Sequence, residues 1–174
     1  FALLLNLSTI GPYVVKKITV GEVVVNKFDY SLDGGRLVLK LSDLLMEGNL
    51  QGTVKKLDVC VNFTSRPFLK STTIADFDLT FADLKGKTRF LPLPAERLEI
   101  KRGAITYNKQ KIFIEELTIE NLKSGKPFLF NLKARNGSFF KDVCASGEGH
   151  YNGKASELKG TMYVADLDLS SLSS

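Results

Sequence analysis

Apolar and polar residues alternate one by one along most of this chain, and that period of two constrains its fold more than any other feature. Successive side chains of an extended strand point to opposite faces of a sheet, so strict alternation gives a strand with one apolar and one polar side. Leu37, Leu39 and Leu41 share one such side. Leu57, Val59, Val61 and Phe63 alternate with Asp58, Cys60 and Asn62, and Phe77, Leu79 and Phe81 alternate with Asp76, Asp78 and Thr80. Leu98 and Ile100 stand against Glu99 and Lys101. Ile105 and Tyr107, Ile112 and Ile114, then Leu117 and Ile119 follow as further short runs. Phe128, Phe130 and Leu132 stand against Asn131 and Lys133, and Met162, Val164, Leu167 and Leu169 close the series.

Turn residues separate these runs: Asp33-Gly34-Gly35, Lys85-Gly86-Lys87, Asn108-Lys109-Gln110, Lys123-Ser124-Gly125-Lys126, Asn136-Gly137 and Asn152-Gly153. Asn-Gly is a strong hairpin signal because both central residues of a type I′ turn need positive φ. Strands joined by hairpins at this spacing predict one all-β domain over residues 1–174, a twisted, curved antiparallel meander with very little helix. The sheet is expected either as an open trough or as one layer of a sandwich. Only Ser42 to Glu47, ahead of Gly48, and the apolar run Phe1 to Leu5 read as candidates for a helical turn. Residues 1–10 have two readings, the end of an N-terminal anchor or a first segment packed on the sheet, and the chain reads as a fragment of a longer one.

Composition narrows the chemistry. The chain has 24 basic and 19 acidic residues, a net charge of +5, but signs alternate without a basic block. A nucleic-acid binder concentrates Lys and Arg on one face, so that class is set aside. Cys60 and Cys144 fit no metal spacing, and with one histidine in the chain no metal or cofactor is expected; whether the two cysteines are bonded stays open. His150 follows Gly147-Glu148-Gly149, with no helix pattern after it to make a phosphate cradle. Asp76 with Asp78, Glu96 with Glu99, and Glu115 with Glu116 are carboxylate pairs of the kind a solvated strand face carries. No nucleophile, base and orienting group stand in a recognisable set, so no catalytic residue is expected and the chain is read as non-enzymatic. Asn6, Asn62 and Asn136 begin glycosylation sequons.

One continuous apolar face therefore carries the functional reading. Its candidate residues are Leu57, Val59, Val61, Phe63, Phe77, Leu79, Phe81, Leu98, Ile100, Ile112, Ile114, Phe128, Phe130 and Leu132. A sheet must cover such a face with a second sheet, by closing into a barrel, or with a ligand or partner.

Two stretches carry a resemblance. Ala95-Glu96-Arg97-Leu98-Glu99-Ile100-Lys101-Arg102-Gly103-Ala104-Ile105-Thr106-Tyr107, followed by Ile112-Phe113-Ile114-Glu115-Glu116-Leu117-Thr118-Ile119, resembles the AsmA-like family of bacterial envelope proteins. The close, Ala145 to Gly149 and then Leu158 to Leu169, is similar to that family's ending. The resemblance implies a periplasm-facing protein anchored in the inner membrane, whose apolar β-groove guides phospholipid in outer-membrane biogenesis. A phospholipid or other acyl-chain ligand and an envelope protein partner are then expected. Two other readings of the same strands stay open: a β-sandwich binding or adhesion module gripping protein or carbohydrate with loops such as Ser65 to Thr73 and Lys87 to Pro94, and a structural β subunit of a larger assembly.

Overall fold

The structure, a computed structural model, describes residues 18–20, 23–33, 35–48, 50–81, 95–122, 126–136, 140–151 and 156–166. These form ten strands: β1 (Ile18–Val20), β2 (Val23–Asp33), β3 (Arg36–Met46), β4 (Leu50–Asn62), β5 (Leu69–Phe81), β6 (Ala95–Tyr107), β7 (Gln110–Leu122), β8 (Pro127–Asn136), β9 (Phe140–Tyr151) and β10 (Ser156–Ala165). They lie in one sheet in chain order, from β1 at one edge to β10 at the other, so the sheet does not close into a barrel. No helix and no second sheet occurs among the described residues.

The tight turns follow from residue type. Asp33 pairs with Arg36 across Gly34-Gly35, where Gly35 has φ +80. Tyr107 pairs with Gln110 across Asn108 and Lys109, both at positive φ, as a type I′ turn demands.

Three expectations are corrected. Ser42 to Met46 is not a helical turn but the end of β3, paired along β4. The meander is not wholly antiparallel: β5 and β6 run parallel, from Leu69 opposite Ala95 to Thr80 opposite Thr106. A parallel pair needs a connection long enough to return the chain to its starting end, and residues 82–94 make it. Leu69 to Thr73, expected within a loop, belongs to β5. Phe1 to Leu5, Lys85-Gly86-Lys87 and Lys87 to Pro94 lie outside the described residues.

The long strands also carry a feature that simple alternation does not contain. Asp43, Asp76 and Arg102 have φ of 53, 55 and 51, the left-handed region. They lie at one level of the sheet: Leu44, Val54, Phe77 and Gly103 pair in series just to one side of them, and Ser42, Lys56, Ala75 and Lys101 just to the other. At that level β2 to β7 change phase, while β8, β9 and β10 keep the two-residue spacing. The side chains packed on the apolar side are Leu41 and Leu44 on β3, Val54 and Leu57 on β4, Ile74 and Phe77 on β5, and Ile114 and Leu117 on β7, three residues apart rather than two. On β7 the shift coincides with a register slip against β8 between Ile114 and Glu116. Left-handed backbone costs a non-glycine residue about 1–2 kcal/mol, and local contacts offset part of it. Asn26 Nδ2 donates to the Asp43 carbonyl at 2.7 Å, Lys27 pairs with the Asp43 carboxylate at 2.9 Å, and Arg102 makes a two-pronged bond to Asp76 at 2.8 and 3.0 Å.

The apolar face as candidate functional site

With the phase shift included, the strand register brings the apolar side chains into straight rows across the sheet. One row runs Val25, Leu44, Val54, Phe77, Gly103, Ile114, Ala134, Val143, Val164. The next runs Phe28, Leu41, Leu57, Ile74, Ile100, Leu117, Leu132, Ala145, Met162. A third joins Tyr30, Leu39, Val59, Thr72, Leu98, Ile119, Phe130, Gly147 and Gly160. None of the three contains a charged residue. The corresponding row on the opposite side, Lys40, Asp58, Thr73, Glu99, Thr118, Asn131, Ser146, Thr161, contains no apolar one.

Thirteen of the fourteen residues picked from the sequence stand on strands on this side; the exception is Phe63, which lies past the end of β4 in the β4–β5 loop and is 57% exposed. Phe77, Ile114 and Phe128 are buried, and the other ten strand positions are half-buried. Val25, Leu44 and Val54, at 5–7% exposure, complete the buried cluster with Phe77 and Ile114. Sequence reading missed these three. Val54 stands alone between Thr53 and Lys55, and Leu44 sits beyond the phase shift, so neither extends an alternating run. With no described layer above them, the cluster's side chains shelter one another, as in a sheet that curls toward this face. Two aromatic rings close gaps left by glycines. Phe77 covers Gly103 and Phe128 covers Gly149, where an added methyl group would fall 2.1 Å from the ring in each case.

The opposite side is electrostatic. Lys111 bonds Asp78 at 2.7 Å, and Glu99 is flanked by Lys101 at 2.9 Å and Arg97 at 2.6 Å. The Lys101 hydrogen bond first, then the nearby positive charges, hold the Glu99 carboxyl below the usual glutamate range against its partial burial. An open hollow of about 540 Å³ surrounds Phe113 on this side, with Lys111 and Arg135 each under 6 Å from the ring centre. The charges lining it are matched: Lys111 with Asp78, Arg102 with Asp76, and Arg135 with Glu115 at 3.9 Å. It offers no surplus charge to an ion.

The remaining sequence candidates are ordinary strand positions. His150 is exposed on β9 opposite Pro127 and Glu157. Asp76 holds Arg102 of the neighbouring β6, and Asp78 holds Lys111 of β7, one strand further on. Among the described residues no three His, Cys, Asp or Glu gather closely enough to hold a metal ion. Cys60 and Cys144 are both free thiols. Asn62 and Asn136 are 9% and 2% exposed, which leaves no room for a glycan on either. No described helix is long and apolar enough to cross a membrane. Comparison with protein-family models, with curated proteins and with solved structures gives no match to this chain.

Chemically, the apolar face can do one thing well. It presents aliphatic and aromatic surface without a charge that a ligand would have to desolvate, and half-buried side chains with no layer above them among the described residues.

Proposed function

We propose that this chain is a lipid-handling module of a bacterial envelope, facing the periplasm and held at the inner membrane, that carries acyl chains along its apolar face during outer-membrane biogenesis. One observation carries the reading: the face crosses nine strands without a charged residue in its three central rows, while most of its side chains are only half-buried. Monomeric proteins rarely leave so long an apolar surface without an occupant. An acyl chain supplies one at roughly 0.8 kcal/mol per buried methylene. The resemblance of residues 95–119 and 145–169 to AsmA-like proteins supplies the compartment and the phospholipid class.

Native mass spectrometry of the purified protein should find co-purifying phospholipid. Photo-crosslinkers at Val59, Leu79 and Ile114 should label it, while crosslinkers at Asp58, Asp78 and Glu115 should not. Lipid-free protein whose crosslinks join only its own residues would sink the proposal.

A second reading, a structural subunit that pairs by its edge, is favoured by β10. Leu158, Met162 and Tyr163 on that strand are 63%, 68% and 66% exposed beside an edge that pairs with no further strand among the described residues. Crosslinks from Met162 to another polypeptide, with no lipid on the face, would support it.

A further inference from the structure

We propose that the β4–β5 loop, Phe63 to Phe68, is a membrane-docking tip that seats one end of the apolar face against an anionic lipid bilayer. The loop is ordered by its own polar groups. The Asn62 N–H donates to the Phe68 carbonyl at 2.7 Å and the Phe63 N–H to the Gly35 carbonyl at 3.1 Å. The buried Asn62 Oδ1 accepts from the Thr64 N–H at 2.8 Å and from Thr64 Oγ1 at 2.7 Å. Yet this fixed loop leaves two large rings in solvent, Phe63 at 57% and Phe68 at 50% exposure, although the apolar face ends only two residues away at Val61.

Charge selects the occupant. From Val59 to Ala75 the only charged residues are Arg66 and Lys70, both positive. Lys70 is held by Glu96, whereas the Arg66 guanidinium lies 5.6 Å from the centre of the Phe68 ring. Arg36, exposed at the start of β3, pairs in register with Asn62. A ring that enters the acyl boundary beside a guanidinium that reaches a phosphate is how interfacial segments hold an anionic membrane surface. Docking stands on the loop itself. That a docked loop brings lipid to Leu37 and Val61, the ends of the face, rests on the proposed function.

The test is co-sedimentation of the whole chain with vesicles of phosphatidylglycerol and phosphatidylcholine, and with vesicles of phosphatidylcholine alone. The wild type should bind the anionic vesicles, more weakly as salt rises. The double variant F63S/F68S and the single variant R66E should each bind roughly tenfold or more weakly, and F113S on the opposite side should bind as the wild type does. All these positions are exposed, and an unchanged unfolding midpoint shows that each variant is folded. Equal binding by wild type and F63S/F68S overturns the proposal, as does no vesicle binding by the wild type. Retained phospholipid is read separately by mass spectrometry. Lipid retained with loop-independent vesicle binding defeats docking alone, and loop-dependent binding by lipid-free protein defeats the lipid-handling reading alone.

Discussion

The Phe77 ring lies directly over Gly103 of the neighbouring parallel strand, so that a methyl group on Gly103 would stand 2.1 Å from the ring. Aromatic cover of a strand glycine supplies the side-chain contact the glycine lacks. Phe77→Ala should cost about 3–5 kcal/mol, and Gly103→Ala should destabilise by forcing the ring aside. Once the ring is gone the methyl group fits, so the F77A/G103A double variant should be more stable than the sum of the two losses allows. Urea unfolding of the four proteins measures the coupling, and strict additivity would show that ring and glycine do not interact.

Charge on the apolar face should separate buried from half-buried positions. Phe77→Asp places an unpaired carboxylate in the buried cluster and should cost about 3 kcal/mol or more. Phe81→Asp and Phe130→Asp, at half-buried sites, should cost less than Phe77→Asp while lowering retained lipid. Equal losses at all three would mean that the whole face is covered in the folded protein.

The left-handed strand positions give a third expectation. At Arg102, with φ +51, glycine removes the backbone cost but also the exposed bond to Asp76, so Arg102→Gly should leave stability nearly unchanged. Arg102→Val loses the same bond and adds a β-branched side chain where it fits worst, and should be less stable than the glycine variant by about 1–2 kcal/mol. Thermal or urea midpoints decide the order, and a valine variant at least as stable as the glycine one would refute the left-handed assignment.

Acid should act through Glu99. Its carboxyl is held below the ordinary glutamate value of 4.5, first by Lys101. A carboxyl depressed in the folded state contributes stability that is complete above its unfolded value and is lost as pH falls through the folded one. Wild-type unfolding midpoints should therefore be flat well above 4.5 and fall below it, and Glu99→Gln should fall less steeply there. Parallel acid slopes for the two proteins would mean that Glu99 carries none of the effect. Asp76 is depressed in the same direction by Arg102, but it is exposed, so its share of the slope should be small.

Much of this architecture is legible in the sequence, because period two and turn chemistry are local. The turns at Gly34-Gly35 and Asn108-Lys109 and the side taken by thirteen candidate residues need only nearest-neighbour information. The phase shift is harder to read. Leu41 and Leu44, or Ile114 and Leu117, stand three apart, a spacing that suggests a helical turn in one case and two short strands in the other. On β3 the left-handed Asp43 between the two halves of one strand produces this pattern, on β7 a register slip against β8 does, and the neighbouring strands reveal both by shifting at the same level. The parallel pairing of β5 with β6 joins residues 26 positions apart, Leu69 with Ala95, so no local signal announces it. Whether the sheet stays open depends on the two edges failing to meet, a property of the accumulated twist that no single segment encodes.

Strand order that follows chain order has a consequence for how such a molecule grows and fails. Each strand rests on the one before it and the one after it, so cohesion is a sum of neighbour terms along a line, as in solenoid arrays. Length then becomes a quantity that gene duplication can change one hairpin at a time, because an added pair of strands needs only to match the strand it lands on. Damage stays correspondingly local: a lesion near β10 loosens that end of the sheet while Val54 and Phe77, six and five strands away along the same line, keep their own neighbours.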